Sequence, residues 1–153
     1  MTERTLSPTI LIADDDPDDR LMIRDAFADR CRDCRLCFVE DGEEALRFLE
    51  NALHKQTADC PLPDLILLDL NMPLKDGRET LRELKADPRF RRIPTVILTT
   101  SHSDDDIDDC YDHHANSYII KPNRYSELLE VVTSLQSYWM DTVNLPPQNP
   151  HHE

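Results

Sequence analysis

Residues 10–17 read Ile-Leu-Ile-Ala-Asp-Asp-Asp-Pro. The apolar run Ile10 to Ala13 has the length of a strand, and three consecutive carboxylates end it. Pro17 then follows Asp16 as a first-turn proline follows a helix N-cap, because its fixed φ and missing N–H cost nothing there. The stretch therefore predicts a buried strand running directly into a helix. The same kind of apolar run returns at Leu36 to Val39, Leu65 to Leu68, Val96 to Leu98 and Tyr118 to Ile120. Between these runs apolar residues recur at helical spacing: Leu21, Ile23, Ala26 and Phe27; Ala45, Leu46, Phe48 and Leu49; Leu81 and Leu84; Leu128, Val131, Val132 and Leu135. Asp41 stands three residues before Glu44 in a capping-box arrangement. Five alternations of strand and helix predict an α/β fold with a parallel sheet covered on both faces, since parallel neighbours need a right-handed crossover. The sheet is expected to be doubly wound.

Length and composition narrow the function. A chain of 153 residues with 39% hydrophobic residues suffices for one core and one domain. Only two glycines occur, Gly42 and Gly77, which excludes the Gly-rich phosphate loop and the dinucleotide fingerprint. The formal charge of -14 opposes contact with nucleic acid or an anionic lipid surface, so neither is expected as a partner. An odd number of cysteines, five, and the lack of a long apolar stretch lead us to expect a reduced, cytoplasmic protein. From Val143 the sequence loses its periodicity, and residues 143–153 read as a flexible or interface-forming tail.

In open α/β sheets ligands bind outside the carboxyl ends of the strands. The residues following those ends are chemically distinctive here: Asp14, Asp15 and Asp16 after the first run, Asp69 after the third, Thr99, Thr100 and Ser101 after the fourth, Lys121 after the fifth. Carboxylates gathered at one edge repel one another, and a bound cation relieves that repulsion. Hard oxygen donors of this kind suit Mg²⁺, which takes one or two carboxylates and completes its shell with water and phosphate oxygens. Asp69, set apart from the paired acids, is the candidate nucleophile, since a carboxylate can form an aspartyl phosphate. Lys121 and Thr99 would contact the phosphoryl oxygens.

Four separated motifs now stand in order: Ile-Leu-Ile-Ala-Asp-Asp-Asp-Pro from Ile10, Leu-Ile-Leu-Leu-Asp-Leu-Asn-Met-Pro from Leu65, Val-Ile-Leu-Thr-Thr from Val96, and Tyr-Ile-Ile-Lys-Pro from Tyr118. Together they resemble the receiver domain of two-component response regulators, over residues 8–142. The resemblance implies a flavodoxin-like five-stranded parallel sheet, order 2-1-3-4-5, with five helices. It makes Asp69 the phosphoacceptor. Asp14 and Asp15 become the acidic pair for Mg²⁺, joined by Asp69 and by the backbone carbonyl of Asn71. Thr99 and Lys121 become the phosphoryl-binding pair, and Thr99 with Tyr118 the conformational switch. It also implies a cis peptide bond between Lys121 and Pro122. Thr100 departs from the family pattern, which often has Ala or Gly there.

A narrower resemblance rests on Leu-Thr-Thr-Ser-His-Ser-Asp-Asp-Asp from Leu98 and Ser-Tyr-Trp-Met-Asp-Thr-Val-Asn-Leu-Pro from Ser137. These segments look like those of stand-alone response regulators that partner phytochrome histidine kinases. The implied partner is a sensor kinase of that type, and the implied role is phosphorelay signalling rather than turnover of an outside substrate: the chain would catalyse only its own phosphorylation and dephosphorylation. The competing reading is an aspartate-nucleophile phosphatase of the haloacid dehalogenase kind. That chemistry needs a second acid two residues after the nucleophile, where Asn71 stands.

Other residues read more plainly. Asp16 is a helix N-cap, while Asp18 and Asp19 complement the helix macrodipole. Asp104 to Asp112 reads as a solvated helix start. Cys31, Cys34 and Cys37 have a Cys-x2-Cys-x2-Cys spacing, but Asp41 stands where a fourth cluster ligand would follow. His113 and His114 read as partly exposed helix residues. Tyr138, Trp139 and Val143 extend the last helix with more aromatic surface than its end should bury. A homodimer is therefore expected through helix four, strand five, helix five and this extension.

Overall fold

The computed structural model describes residues 7–31, 33–55 and 61–147. Five strands, β1 (Thr9–Ala13), β2 (Arg35–Val39), β3 (Leu65–Leu68), β4 (Thr95–Thr99) and β5 (Ser117–Ile120), alternate with five helices: α1 (Pro17–Arg30), α2 (Gly42–Lys55), α3 (Gly77–Ala86), α4 (Asp104–Asp112) and α5 (Tyr125–Leu135). The sheet has the order β2-β1-β3-β4-β5 and every pairing is parallel. Each strand expected from its apolar run is present. Four of them gain one polar residue at the start, Thr9, Arg35, Thr95 or Ser117, because the ladder is made by backbone groups that these residues also carry.

Side chains alternate across the sheet and so define two cores. Leu11, Ala13, Ile66, Leu68 and Ile97 point to one face, where Ala45, Leu49, Leu81, Leu84 and Cys110 cover them. Ile10, Ile12, Leu65, Leu67, Val96 and Leu98 point to the other, beneath Ile23, Phe27, Leu128, Val132 and Leu135. This double burial explains why the central strands are continuously apolar rather than alternating.

Register places the site. Ala13 is level with Val39 on one side and with Leu68 on the other, so β1 and β3 end together. The next residues stay in line: Asp14 N–H donates to Val39 O and Asp69 N–H to Ala13 O, both at 3.0 Å. The chain leaves β1 towards β2 on one side and later returns to form β3 on the other, so the switch point lies between β1 and β3. Asp14 and Asp69 flank it.

The helix caps follow the sequence. Asp16 accepts from Asp18 N–H at 2.9 Å and opens α1. Asp41 Oδ1 accepts from Glu44 N–H at 2.8 Å, and Glu44 reaches back to Glu40 N–H, one residue further than a standard capping box.

Three expectations need revision. The cysteines are not all reduced: Cys31 and Cys34 are disulfide-bonded, while Cys37 and Cys110 keep their thiols. The reason is local, since α1 stops at Arg30 and a turn closed by Cys34 N–H on Cys31 O brings the two Cα atoms to 5.5 Å. The acidic run is not simply solvated, because Arg78 and Ser101 engage Asp106, and Arg82 engages Asp109. The aromatic extension is a π-helix, Gln136–Thr142, that divides its side chains. Trp139 and Met140 pack onto the core beneath α1 and α5, whereas Tyr138 is 52% exposed and meets the Trp139 ring edge-on. Pro146 and Pro147 then lie beside Leu62, Pro63, Ile93 and Pro94 around a small cavity. His151 and His152 lie outside the described residues.

Candidate functional site

Carboxylate oxygens of Asp14, Asp15 and Asp69 lie within 4.8 Å of one another. Asp14 and Asp69 are buried and Asp15 is exposed. Lys121, carried to the same edge by β5, donates its ammonium to Asp14 Oδ2 at 2.7 Å, Asp69 Oδ2 at 2.9 Å and Asp19 Oδ2 at 2.7 Å. The third partner was not legible as such in the sequence. Asp19 lies in the first turn of α1, a few residues after the acids that end β1, and this closeness along the chain is the signal that would have pointed to it.

One ammonium shared by three carboxylates leaves the cluster strongly negative. Burial pushes the Asp14 carboxyl above the ordinary range, and the bonds from Lys121 and from Asp16 N–H only partly offset it. Burial would lower the Lys121 ammonium, but its bonds to Asp14, Asp19 and Asp69 outweigh that and hold it raised and charged. The two shifts have different origins: burial raises Asp14, whereas the surrounding carboxylates raise Lys121. Two buried carboxylates beside an exposed third, all hard oxygen donors, fit a divalent cation of the Mg²⁺ type. Asn71, exposed at the site's rim, donates its N–H to Asp69 Oδ1 at 3.3 Å.

Asp69 is held by a glycine. Gly77 opens α3 against the end of β3, its N–H bonding Leu70 O at 2.9 Å, and a Cβ there would overlap the Asp69 carbonyl oxygen and crowd the Leu70 Cα. Only hydrogen fits that approach.

At the end of β4 the Thr99 hydroxyl is fully buried and lacks a hydrogen-bond partner among the described residues. An orphaned buried hydroxyl costs about 1–3 kcal/mol and calls for a ligand. Lys121 N–H donates to Thr99 O at 2.7 Å, so hydroxyl and ammonium are set by adjacent strands. Thr100 is exposed. Tyr118, half-buried on β5, donates its hydroxyl to Ser101 O at 3.1 Å, and Ser101 in turn donates to Asp106 Oδ2 at 2.7 Å. Arg78 closes the chain with a two-point pair to Asp106, at 2.8 and 2.7 Å, which with the Ser101 bond holds that carboxyl at about 2. The loop after β4 is thus tied to α3, α4 and Tyr118.

The cis bond expected before Pro122 is absent: no described peptide bond is cis, and Lys121 reaches all three carboxylates with Pro122 trans. Trans is the preferred state of an X-Pro bond by about 0.5–1 kcal/mol.

The model of the response regulator receiver domain family matches residues 10–133. The chain belongs to this family. Among relatives, this receiver is 39% identical over 137 residues to response regulator Rcp1 of Synechocystis sp., covering 90% of this chain and 92% of Rcp1. The crystal structure of the phosphorylated cyanobacterial phytochrome response regulator RcpA superposes with a TM-score of 0.83 at 41% identity, covering 92% of this chain and 99% of that one. The Mn²⁺-bound form of Rcp1 gives 0.81 at 38% identity, with the same coverage. The receiver fold of these structures is the β2-β1-β3-β4-β5 sheet described above. The phosphatase alternative finds no support among them.

Proposed function

We propose that this response regulator accepts a phosphoryl group on Asp69 from the phosphohistidine of a sensor kinase, phytochrome-type, in the cytoplasm. The observation that carries the reading is the convergence on Asp69 of the Lys121 ammonium and two further carboxylates, with a Thr99 hydroxyl that has no partner among the described residues at the end of the neighbouring strand β4. The similarity to Rcp1 and RcpA supports the kinase type, and no helix among the described residues is long and apolar enough to cross a membrane.

Asp14, Asp15, Asp69 and the Asn71 carbonyl would hold Mg²⁺. When bound, the ion neutralises charge on the transferring phosphoryl oxygens. An Asp69 carboxylate oxygen attacks phosphorus in line, the P–N bond to the histidine breaks, and the imidazole leaves. Lys121 moves from carboxylate to phosphoryl oxygen, and Thr99 donates its hydroxyl to another. Phosphorylation adds about two negative charges where charge was already in excess. Drawing Thr99 inward opens space beside β5 for the Tyr118 ring, which must release Ser101 O to occupy it. The chain acts as a switch on itself and turns over no outside substrate. Its output surface is α4, β5, α5 and the π-helical extension, which also supports a homodimer through exposed Tyr138.

The test is transfer of labelled phosphate from a phosphorylated phytochrome-type kinase, with and without Mg²⁺, followed by mapping of the labelled peptide. Label is expected on Asp69 and should be lost in Asp69→Asn, which conserves shape. Undiminished labelling of that variant would overturn the assignment.

A further inference from the structure

From the end of α1 to the start of β2 the sequence reads Arg30-Cys31-Arg32-Asp33-Cys34-Arg35, a segment for which phosphoryl transfer has no use. It lies roughly 21 Å from the start of α1, at 1.5 Å per residue over 14 residues, and so at the opposite end of the helix from Asp14. We propose that Cys31 and Cys34 are a reversible dithiol–disulfide couple that exchanges with a glutathione-class disulfide.

Three observations support this. The turn that follows α1 brings the two sulfurs into bonding geometry. The bond spans a sequence separation of only 3, and so short a loop gains least from constraining the unfolded chain, which makes a purely stabilising role a poor explanation. The two positions are unequal: Cys31 is buried, whereas Cys34 is half-buried and open to attack from solvent. In a reducing compartment, disulfides that form are chiefly transient or redox-sensing ones.

The order of events follows. The Cys34 thiolate attacks one sulfur of the oxidant's disulfide, releasing one thiolate and leaving a mixed disulfide on Cys34. The Cys31 thiolate then attacks the Cys34 sulfur and expels the second thiol. Two protein thiols lose two protons and two electrons, and the oxidant's disulfide becomes two thiols. Cys31 belongs to the core shared by α1 and α5, and Cys34 and Trp139 pack on that same core. The redox state therefore reaches the helix pair that carries the π-helical extension, and Trp139, the only tryptophan, can report it.

The full chain is equilibrated in buffers of graded ratio of reduced to oxidised glutathione, quenched, unfolded and alkylated, and the cysteines are mapped by mass spectrometry. Cys31 and Cys34 are expected to lose alkylation together as oxidised glutathione rises and to regain it on return, while Cys110 stays alkylated throughout. Trp139 fluorescence should change at the same midpoint. Cys31→Ala should accumulate glutathione on Cys34, and Cys34→Ser should accumulate little on Cys31. Full alkylation of both cysteines at every ratio would overturn the proposal. So would a bond that excess reductant leaves intact. The wild-type titration alone decides between these outcomes if a variant does not fold, and it needs no phosphorylation, so its result is independent of the Asp69 assignment.

Discussion

Lys121 Nζ lies 2.7 Å from Asp19 Oδ2, as close as it lies to Asp14 Oδ2. In the proposed reaction Asp14 and Asp69 take up a metal ion and a phosphoryl group, whereas Asp19, in the first turn of α1, is not among the clustered donors and would keep the ammonium beside the site while the other two carboxylates change partners.

Replacing Asp19 by Asn returns Lys121 to Asp14 and Asp69 and also removes one negative charge. Both effects oppose a cation. The affinity for Mg²⁺ should fall about 5–10-fold, corresponding to roughly 1–1.4 kcal/mol for one charge-assisted bond. Calorimetric titration of Mg²⁺ into wild type and variant reads this directly, and equal affinities would show that Asp19 does not steer Lys121.

Stability should depend jointly on pH and metal. The Asp14 carboxyl is raised in the folded protein, chiefly by burial. A raised acid favours folding fully below its unfolded value of 3.8, and that contribution is lost as pH rises through the folded value. At pH 7 the buried charge is thus a cost that a divalent cation relieves. Mg²⁺ at 100 times its dissociation constant contributes about 2.7 kcal/mol, or roughly 5–11 °C in Tm for a chain of this size. Thermal melts with and without Mg²⁺ should show this rise at pH 7 and a smaller one as pH approaches the unfolded value. A metal effect that grew on acidification would contradict the assignment.

Gly77→Ala places a methyl group against the backbone of Asp69 and Leu70. Overpacking of this kind costs about 1–3 kcal/mol. Displacement of the nucleophile by about 1 Å can slow transfer roughly 100-fold. Urea unfolding and phosphotransfer rates measured on the same preparation check both parts, and a variant with normal rates would mean that Asp69 does not depend on this contact.

The two neighbouring aromatics should separate stability from association. Trp139 packs on the core, so Trp139→Ala is expected to lower stability by about 1–3 kcal/mol, less than a fully buried tryptophan would cost. Tyr138 is exposed, so Tyr138→Ser should leave Tm within a few degrees while weakening self-association, as followed by sedimentation velocity. Unchanged sedimentation would remove Tyr138 from the interface.

The architecture was legible because it rests on short-range pattern. Runs such as Leu65 to Leu68 are apolar throughout because both faces of a parallel sheet are covered, and the polar residues that end them mark the strand termini. Asp16 as N-cap was legible for the same local reason. The bond from Lys121 to Asp19 was not, because it joins residues 102 positions apart and depends on how far α1 leans over the end of β5. The partition of Tyr138 from Trp139 was equally hidden, since a helical wheel assumes 3.6 residues per turn and the extension is π-helical.

By itself the sequence determined the number and order of strands and helices, the parallel sheet and the acids, hydroxyl and lysine at its carboxyl edge, since alternation, capping and strand-end chemistry are written within a few residues of each position. Packing alone settles which groups share Lys121, that the Thr99 hydroxyl has no partner among the described residues, that only Gly77 admits α3 against Asp69, that Pro122 follows a trans bond, and that Cys31 meets Cys34. These depend on distances between elements, and such distances arise only when side chains from separate parts of the chain are packed into one volume.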